Sequence, residues 1–236
     1  MAKPPRVLIL GATGGCGSEA LARLLDRGAE CVVVVRSAQR LPFSARGREN
    51  LTIIVEERGH LALDDGQFAA LLDGVDAVVS ALGHNLTLRG MYGPPRDLCA
   101  RTVRRVGALA TAPLKLIVVS TEGVDAVADD PPRGCFERCL IRCLDAVLPP
   151  MSDNADAVRA IKALPERVSF CAPRPADMID GPEAPYECHP TLQGNIFSGA
   201  KSTRASVGRF MADLVTEPDV WDEWMNTFPH IFDAAD

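Results

Sequence analysis

The chain has 236 residues, 47% apolar and 24% charged, which suffices for one substantial core but not two and leaves little room for extended disorder. A net charge of −6 and a pI near 5.3 offer phosphate polymers no general attraction and argue against a nucleic-acid partner. No apolar stretch reaches export or membrane-spanning length, so the expectation is a soluble, cytoplasmic protein, with an organelle interior as the other fitting compartment and no membrane partner.

Arg6-Val-Leu-Ile-Leu10 is a continuous apolar run of the kind a central parallel strand needs when both its faces are covered, and it ends at Gly11. From Ser18 the residues Leu21, Leu24 and Leu25 recur at helical spacing until Gly28, and Cys31–Val35 forms a second apolar run, completing a strand–helix–strand unit. The alternation continues with a strand at Leu51–Val55, a helix at Gln67–Leu72, a strand at Ala77–Ala81, a helix at Asp97–Leu109 and a strand at Leu116–Ser120. Phe136–Val147 and Asn154–Leu164 read as helices divided by Pro149-Pro150, and Val168–Cys171 as a further strand. Asp129-Asp130-Pro131-Pro132 reads as a solvated loop.

Residues 173–200, rich in Pro and Gly, suit a loop lying over the carboxyl edge of the sheet as a substrate cover. Ser202–Val215 reads as a capped helix, and Trp221–Phe232 as a short closing piece with both Trp221 and Trp224 packed on the body. The expectation is therefore a single α/β domain over residues 1–236. Its core is a Rossmann-type, doubly wound, mainly parallel sheet, and residues 173–236 form a small C-terminal substrate-covering elaboration.

The run Gly11-Ala12-Thr13-Gly14-Gly15-Cys16-Gly17 follows a strand and opens a helix. In that context the first glycine permits a tight turn, the second lets the backbone approach a pyrophosphate, and the third allows close helix–strand packing while helix amides face the anion. At the end of the second strand, where NAD-specific folds hold an acidic residue for the ribose hydroxyls, stand Arg36-Ser37 and then Arg40. Cations there suit a 2′-phosphate, so NADP(H) is the expected cofactor.

The GxxGxxG spacing resembles the extended and atypical short-chain dehydrogenase/reductase superfamily. The order of Gly11–Gly17, Val34–Arg36, Gly74–Ala81, Leu116–Thr121, Arg174-Pro175 and Thr203–Met211 resembles its biliverdin-IXβ/flavin reductases and NmrA-like regulators. The resemblance implies that Ala81, Leu82 and Gly83 pass beside the cofactor, and that Ser120 and Thr121 end the fifth strand near the nicotinamide. It also implies that the loop carrying Pro173 and Met178 walls the ring. Ser120 is either a catalytic hydroxyl or a capping hydroxyl after a strand.

Many members of that superfamily use a Tyr-x-x-x-Lys pair, whose ammonium lowers the tyrosine pKa for proton exchange with a carbonyl. Here the tyrosines are Tyr92 and Tyr186, followed four residues on by Arg96 and Pro190, and the matching helix reads Met151-Ser-Asp-Asn-Ala-Asp156. Ser120 and His84, the latter preceding Asn85 at the cofactor edge, are the candidate catalytic groups, with His189 a further donor for a carbonyl substrate. The resemblance implies an NADPH-dependent reductase acting on a small-molecule acceptor of the flavin, quinone or tetrapyrrole class. The alternative is a non-catalytic NADP-binding regulator whose cofactor state alters its affinity for a protein partner.

Eight cysteines lack CxxC spacing and are expected as reduced thiols. Cys188-His189 lacks further ligands, so no metal is expected. Cys135, Cys139 and Cys143 share one helix face and read as small, buried core residues, with redox sensing as the other reading.

Overall fold

The computed structural model describes residues 3–84, 87 and 92–234. Six strands, β1 (Arg6–Leu10), β2 (Glu30–Val35), β3 (Leu51–Val55), β4 (Ala77–Ser80), β5 (Leu114–Val118) and β6 (Val168–Cys171), form one parallel sheet in the order β3-β2-β1-β4-β5-β6. Reversal of strand order beside β1 opens a crevice at the carboxyl ends of β1 and β4, the architecture of a doubly wound Rossmann fold.

Alternation along each strand divides the core into two layers. Val7 and Ile9 of β1 and Cys31, Val33 and Val35 of β2 meet Leu21 and Leu24 of α1 (Gly15–Asp26) and Phe210, Met211 and Leu214 of α6 (Arg204–Thr216). Leu8, Leu10, Val32 and Val34 face Phe68 of α2 (Asp65–Leu72), Val103 and Val106 of α3 (Leu98–Leu109), and Val158 and Ile161 of α5 (Pro149–Lys162). α2 starts two residues ahead of its apolar signal because a reciprocal capping box precedes it: Asp64 accepts from the Gln67 amide at 2.8 Å and the Gln67 side chain accepts from the Asp64 amide at 2.9 Å.

Several sequence expectations need correcting. β5 runs two residues earlier than read, because at Ser120 the backbone has left β4 and donates to the Pro173 carbonyl at 2.8 Å. Pro149-Pro150 does not separate two helices by a break. The prolines form the first turn of α5, where a missing amide costs nothing, directly behind α4 (Cys135–Val147).

Residues 173–200 are not a plain loop. They carry β7 (Arg174–Pro175), β8 (Asp177–Ile179) and β9 (Tyr186–His189). β8 pairs in parallel with β10 (Lys201–Thr203), while β7 and β9 flank β11 (His230–Asp233) after α7 (Pro218–Trp224). These strands are two to four residues long and their partners lie far off in sequence, so no periodicity marks them.

Asp130, read as part of a solvated loop, is instead enclosed against Arg174, whose side chain is 0% exposed. The guanidinium forks onto the carboxylate at 2.5 and 3.0 Å and donates from Nε to the Phe228 carbonyl at 2.8 Å. Burial pushes the Asp130 carboxyl up, but the Arg174 fork and the amides of Leu192 and Val127 outweigh it and hold it below the usual carboxylate range.

Cys135, Cys139 and Cys143 do share a face of α4, but that face is exposed. α4 docks through buried Glu137, which accepts from Arg133 Nη1 at 2.7 Å and from the Ile196 amide at 3.3 Å; a polar clamp thus sets the helix's rotation and turns the thiols outward. All eight cysteines are free. Trp221 is buried, with the Lys115 ammonium 4.7 Å from its ring, and Trp224 packs partly buried on the same core layer. No helix among the described residues is long and apolar enough to cross a membrane.

Candidate functional site

At the end of β1, Gly11 takes φ +90°, and a side chain there would overlap the carbonyl of Ala81 at the end of β4. The Gly14 amide closes the turn onto the Gly11 carbonyl at 2.9 Å, and α1 begins from Gly14 with no side-chain cap. A Cβ on Gly17 would overlap the same Gly11 carbonyl oxygen, so the helix can pack this tightly on the turn only as glycine. Uncapped first-turn amides at the positive end of α1, beside a backbone stripped of side chains, form a cradle for an anion.

Gly11, Ala12, Thr13 and Gly14 line one side of a cavity of about 630 Å³, and Ala81, Leu82, Gly83 and His84 line it from β4. Its far end is cationic. Arg36 leaves β2, Arg40 sits on the short turn after it, and Arg58, which the sequence reading missed, enters from the loop after β3. Among the described residues neither Arg36 nor Arg40 has an ion-pair partner, and Arg58 Nε lies 3.4 Å from Glu56 Oε1. Arg58 carries no local signal; only the pairing of β3 with β2 brings its loop beside Arg36. Ser37 adjoins this end but is not part of the lining.

His84 is not a surface histidine. Its Nε2 lies 2.8 Å from Asp153 Oδ2, and the two side chains are 6% and 0% exposed. Asp153 reaches across from α5 to accept the amides of Cys99 (2.8 Å) and Ala100 (3.0 Å), satisfying the first turn of α3, while Asp97 spends its carboxylate on Arg101. Burial pushes the Asp153 carboxyl up, but His84 and the two amides prevail and hold it below the usual range. Asn85 lies outside the described residues.

Ser120, Thr121, Pro173 and Met178 do not line this cavity. Ser120 is buried, its hydroxyl has no partner among the described residues, and its amide ties it to Pro173; Thr121 Oγ1 accepts from the Gly123 amide at 3.2 Å. Met178 Sδ touches Cys16 Sγ at 3.7 Å, which places the β8 strand against the first turn of α1. Cys16 is no reactive thiol, since burial pushes it up to about 11 against the opposing pull of Arg204. Arg204 explains Gly15: a Cβ there would overlap the arginine stem, which lies over the glycine turn and pairs with Asp180 at 2.7 Å.

Near Ser120, buried His230 accepts the Gln193 amide at Nδ1 (3.1 Å) and points Nε2 at Glu122 from 3.4 Å. Tyr186 is no lowered-pKa acid: burial and the Asp213 carboxylate that it donates to at 2.7 Å both push its pKa up. His189 stacks on Phe232 with Nε2 3.3 Å from Glu187, and burial raises the Cys188 thiol to about 12, so the two do not form an imidazole-activated thiol.

Solved structures share the fold. A short-chain dehydrogenase/reductase of the wide type from Veillonella parvula, in complex with NADP, is 16% identical with TM-score 0.70, over 99% of this chain and 96% of its own. A candidate NADH-flavin reductase from Streptococcus pneumoniae is 17% identical with TM-score 0.67, over 98% and 100%. An anaerobilin reductase from Escherichia coli O157:H7 is 14% identical with TM-score 0.67, over 98% of each. No curated protein matches the chain. A family described as NAD(P)H-binding matches residues 11–218, nearly the whole span from the glycine turn to α7. The chain belongs to the NAD(P)H-binding family, in keeping with its resemblance to the atypical short-chain dehydrogenase/reductases.

Proposed function

We propose that the protein is an NADPH-dependent reductase that passes hydride to a small conjugated acceptor of the flavin, quinone or tetrapyrrole class. The observation that carries the cofactor half is that Arg36 and Arg40, which have no ion-pair partner among the described residues, stand with Arg58 across the cavity from the glycine turn. Two guanidiniums without carboxylate partners among the described residues, with Arg58 shared with Glu56 beside them, leave a positive end that a ribose 2′-phosphate neutralises and a bare ribose does not. The NADP complex of the Veillonella parvula protein supports the same cofactor, and the reductase neighbours support the acceptor class.

When bound, the nicotinamide supplies the hydride. The chain's own part is to bind and orient. The Gly11–Gly17 turn holds the pyrophosphate, and Ala81, Leu82 and Gly83 present a backbone wall at the carboxyl end of β4. Ser120, whose buried hydroxyl has no partner among the described residues, orients the acceptor just beyond β5, where Thr121 follows it and Pro173 accepts its amide. His84, held by ionised Asp153, fixes the cavity wall from the other side. The proton that accompanies hydride to a flavin or quinone comes from solvent, so this chemistry does not require a Tyr-x-x-x-Lys pair.

Calorimetric titration with NADPH, NADP⁺ and NADH, on the native protein and on Arg36→Ala, tests the reading. A charge-assisted phosphate contact is worth about 1.5–3 kcal/mol, so Arg36→Ala should weaken NADPH roughly 10- to 100-fold and leave NADH little changed. Equal losses for both nucleotides refute the 2′-phosphate assignment, and binding of a single redox state favours the regulator over the reductase.

A further inference from the structure

The outer face of α4 carries chemistry that the nucleotide site does not use. Cys135, Cys139 and Cys143 follow one another on it at four-residue spacing, all three free and exposed, while the five other cysteines are buried or half-buried. Buried Glu137, held by Arg133 Nη1 at 2.7 Å and by the Ile196 amide at 3.3 Å, clamps the helix from its other side, so the thiols are presented on a fixed element. Exposed Arg142 stands three residues after Cys139 and next to Cys143, and its guanidinium has no hydrogen-bond or ion-pair partner among the described residues.

Side chains four residues apart on a helix place their Cβ atoms about 5–6 Å apart, whereas a disulfide needs about 3.5–4.5 Å. Neither Cys135 and Cys139 nor Cys139 and Cys143 can therefore close a disulfide while α4 stays helical. A bridging ion asks for a wider gap. Two collinear metal–thiolate bonds, each a little over about 2 Å, hold their sulfurs about 4.5 Å apart, which two thiols leaning toward each other from adjacent turns can span. Cys135 and Cys143 lie about 12 Å from one another along the helix axis and cannot share an ion. Among the described residues no group of three His, Cys, Asp or Glu is disposed to hold a metal. That leaves out zinc and calcium, which take four or more ligands, and leaves thiophilic ions content with two sulfurs.

We propose that α4 is a binding site for one cuprous ion, held between Cys139 and either Cys135 or Cys143. Soft thiolates select monovalent copper. Binding displaces one proton from each of the two thiols, so the ion and its two thiolates together carry one net negative charge, which the unpaired Arg142 guanidinium offsets. Cys139 belongs to both pairs and is the obligatory ligand; Cys135 and Cys143 are alternatives. Sulfurs on an open helix face suit an ion that is taken up and handed on by ligand exchange rather than a closed structural centre. None of the three cysteines lines the nucleotide cavity, so the site stands independently of the reductase reading.

The test is an anaerobic titration of the reduced full chain with cuprous ion against bicinchoninate, a coloured chelator of that ion. The native protein should withdraw one equivalent from the chelator. A second ligand on the same scaffold raises affinity by about 10²–10⁴-fold, so Cys139→Ser should weaken binding by at least about 100-fold, while Cys135→Ser and Cys143→Ser, each keeping one intact pair, should weaken it by no more than about twofold. Failure of the native protein to compete overturns the proposal. Equal losses in all three variants, the mark of independent thiols, overturn it as well, and so does an unchanged affinity in Cys139→Ser, which puts the ion elsewhere. An equally firm hold on zinc, read with a zinc-sensitive dye, overturns the assignment of a two-sulfur site.

Discussion

Asp130→Ala strips the counter-ion from an arginine that water does not reach. Arg174 keeps one neutral acceptor, the Phe228 carbonyl, and loses both oxygens of its fork. Removing one partner of a buried ion pair destabilises by about 3–5 kcal/mol, because an uncompensated charge remains inside. For a protein whose whole stability is of order 5–15 kcal/mol, that is a large share.

The Leu192 and Val127 amides lose their acceptor as well, so the upper half of the range is expected. Urea unfolding followed by circular dichroism measures it, as a fall in midpoint without a change in slope. Asp130→Ala/Arg174→Met, which removes the stranded charge, should recover more than half of the loss, short of all of it because the Phe228 carbonyl is then unpaired. As the folded carboxyl lies below the usual range, this stabilisation is present above the unfolded Asp pKa and fades as pH falls through the folded value. A loss under about 1 kcal/mol for the single variant, or no recovery in the double, refutes the account of Arg174 as a buried charge held by Asp130.

Other measurements follow from the same physics. A thiol reagent applied to the folded protein should label Cys135, Cys139 and Cys143 quickly and reach the buried Cys16, Cys31, Cys99 and Cys171 only after unfolding; peptide mapping assigns the sites, and rapid labelling of Cys99 contradicts the packing around α3. Burial first and the positive charge of Arg105 second push the His60 pKa down to about 4, so the ring binds a proton more readily in the unfolded chain than in the folded one and should lower stability as pH falls from its ordinary value near 6.5 toward about 4, by up to about 3 kcal/mol. His60→Gln should flatten that part of the stability–pH curve, and an unchanged curve means that the ring is not buried neutral. Asp153→Asn turns one of its accepting oxygens into a donor facing amide or imidazole protons and should destabilise by about 1–3 kcal/mol, read as a lower thermal midpoint; a neutral result sinks its role as the anchor of α3.

The parts of the fold legible in the sequence are those whose cause is local. The run Arg6–Leu10 is apolar on both faces because both faces are covered, and the glycine turn states its own geometry. That Arg36 lines the cavity is readable because the end of the second strand opens onto the sheet's carboxyl edge in this architecture. Arg58, His60 and Asp153 were not readable as site residues, because each reaches the cavity or His84 only through pairing or packing with an element distant in sequence. The cysteine spacing on α4 told which residues share a face but not where that face points, which Glu137 and Arg133 decide. Asp130 looked like a loop acid because nothing near it in sequence announces Arg174.

β11 lies between β7 and β9, and the segment around it receives the Arg174 guanidinium, the Arg174 amide and the Ser202 hydroxyl. A ribosome delivers these residues after everything they join. All six strands of the parallel sheet have their neighbours once residue 171 has emerged, whereas β7 and β9 must wait some sixty and forty residues, by their numbering, for the strand that fits between them. During that interval two short strand edges lack the strand that fits between them, and Arg174 holds Asp130 but not yet the Phe228 carbonyl. A stop codon shortly before residue 230 would thus leave a product with a formed glycine turn and a permanently open sheet edge.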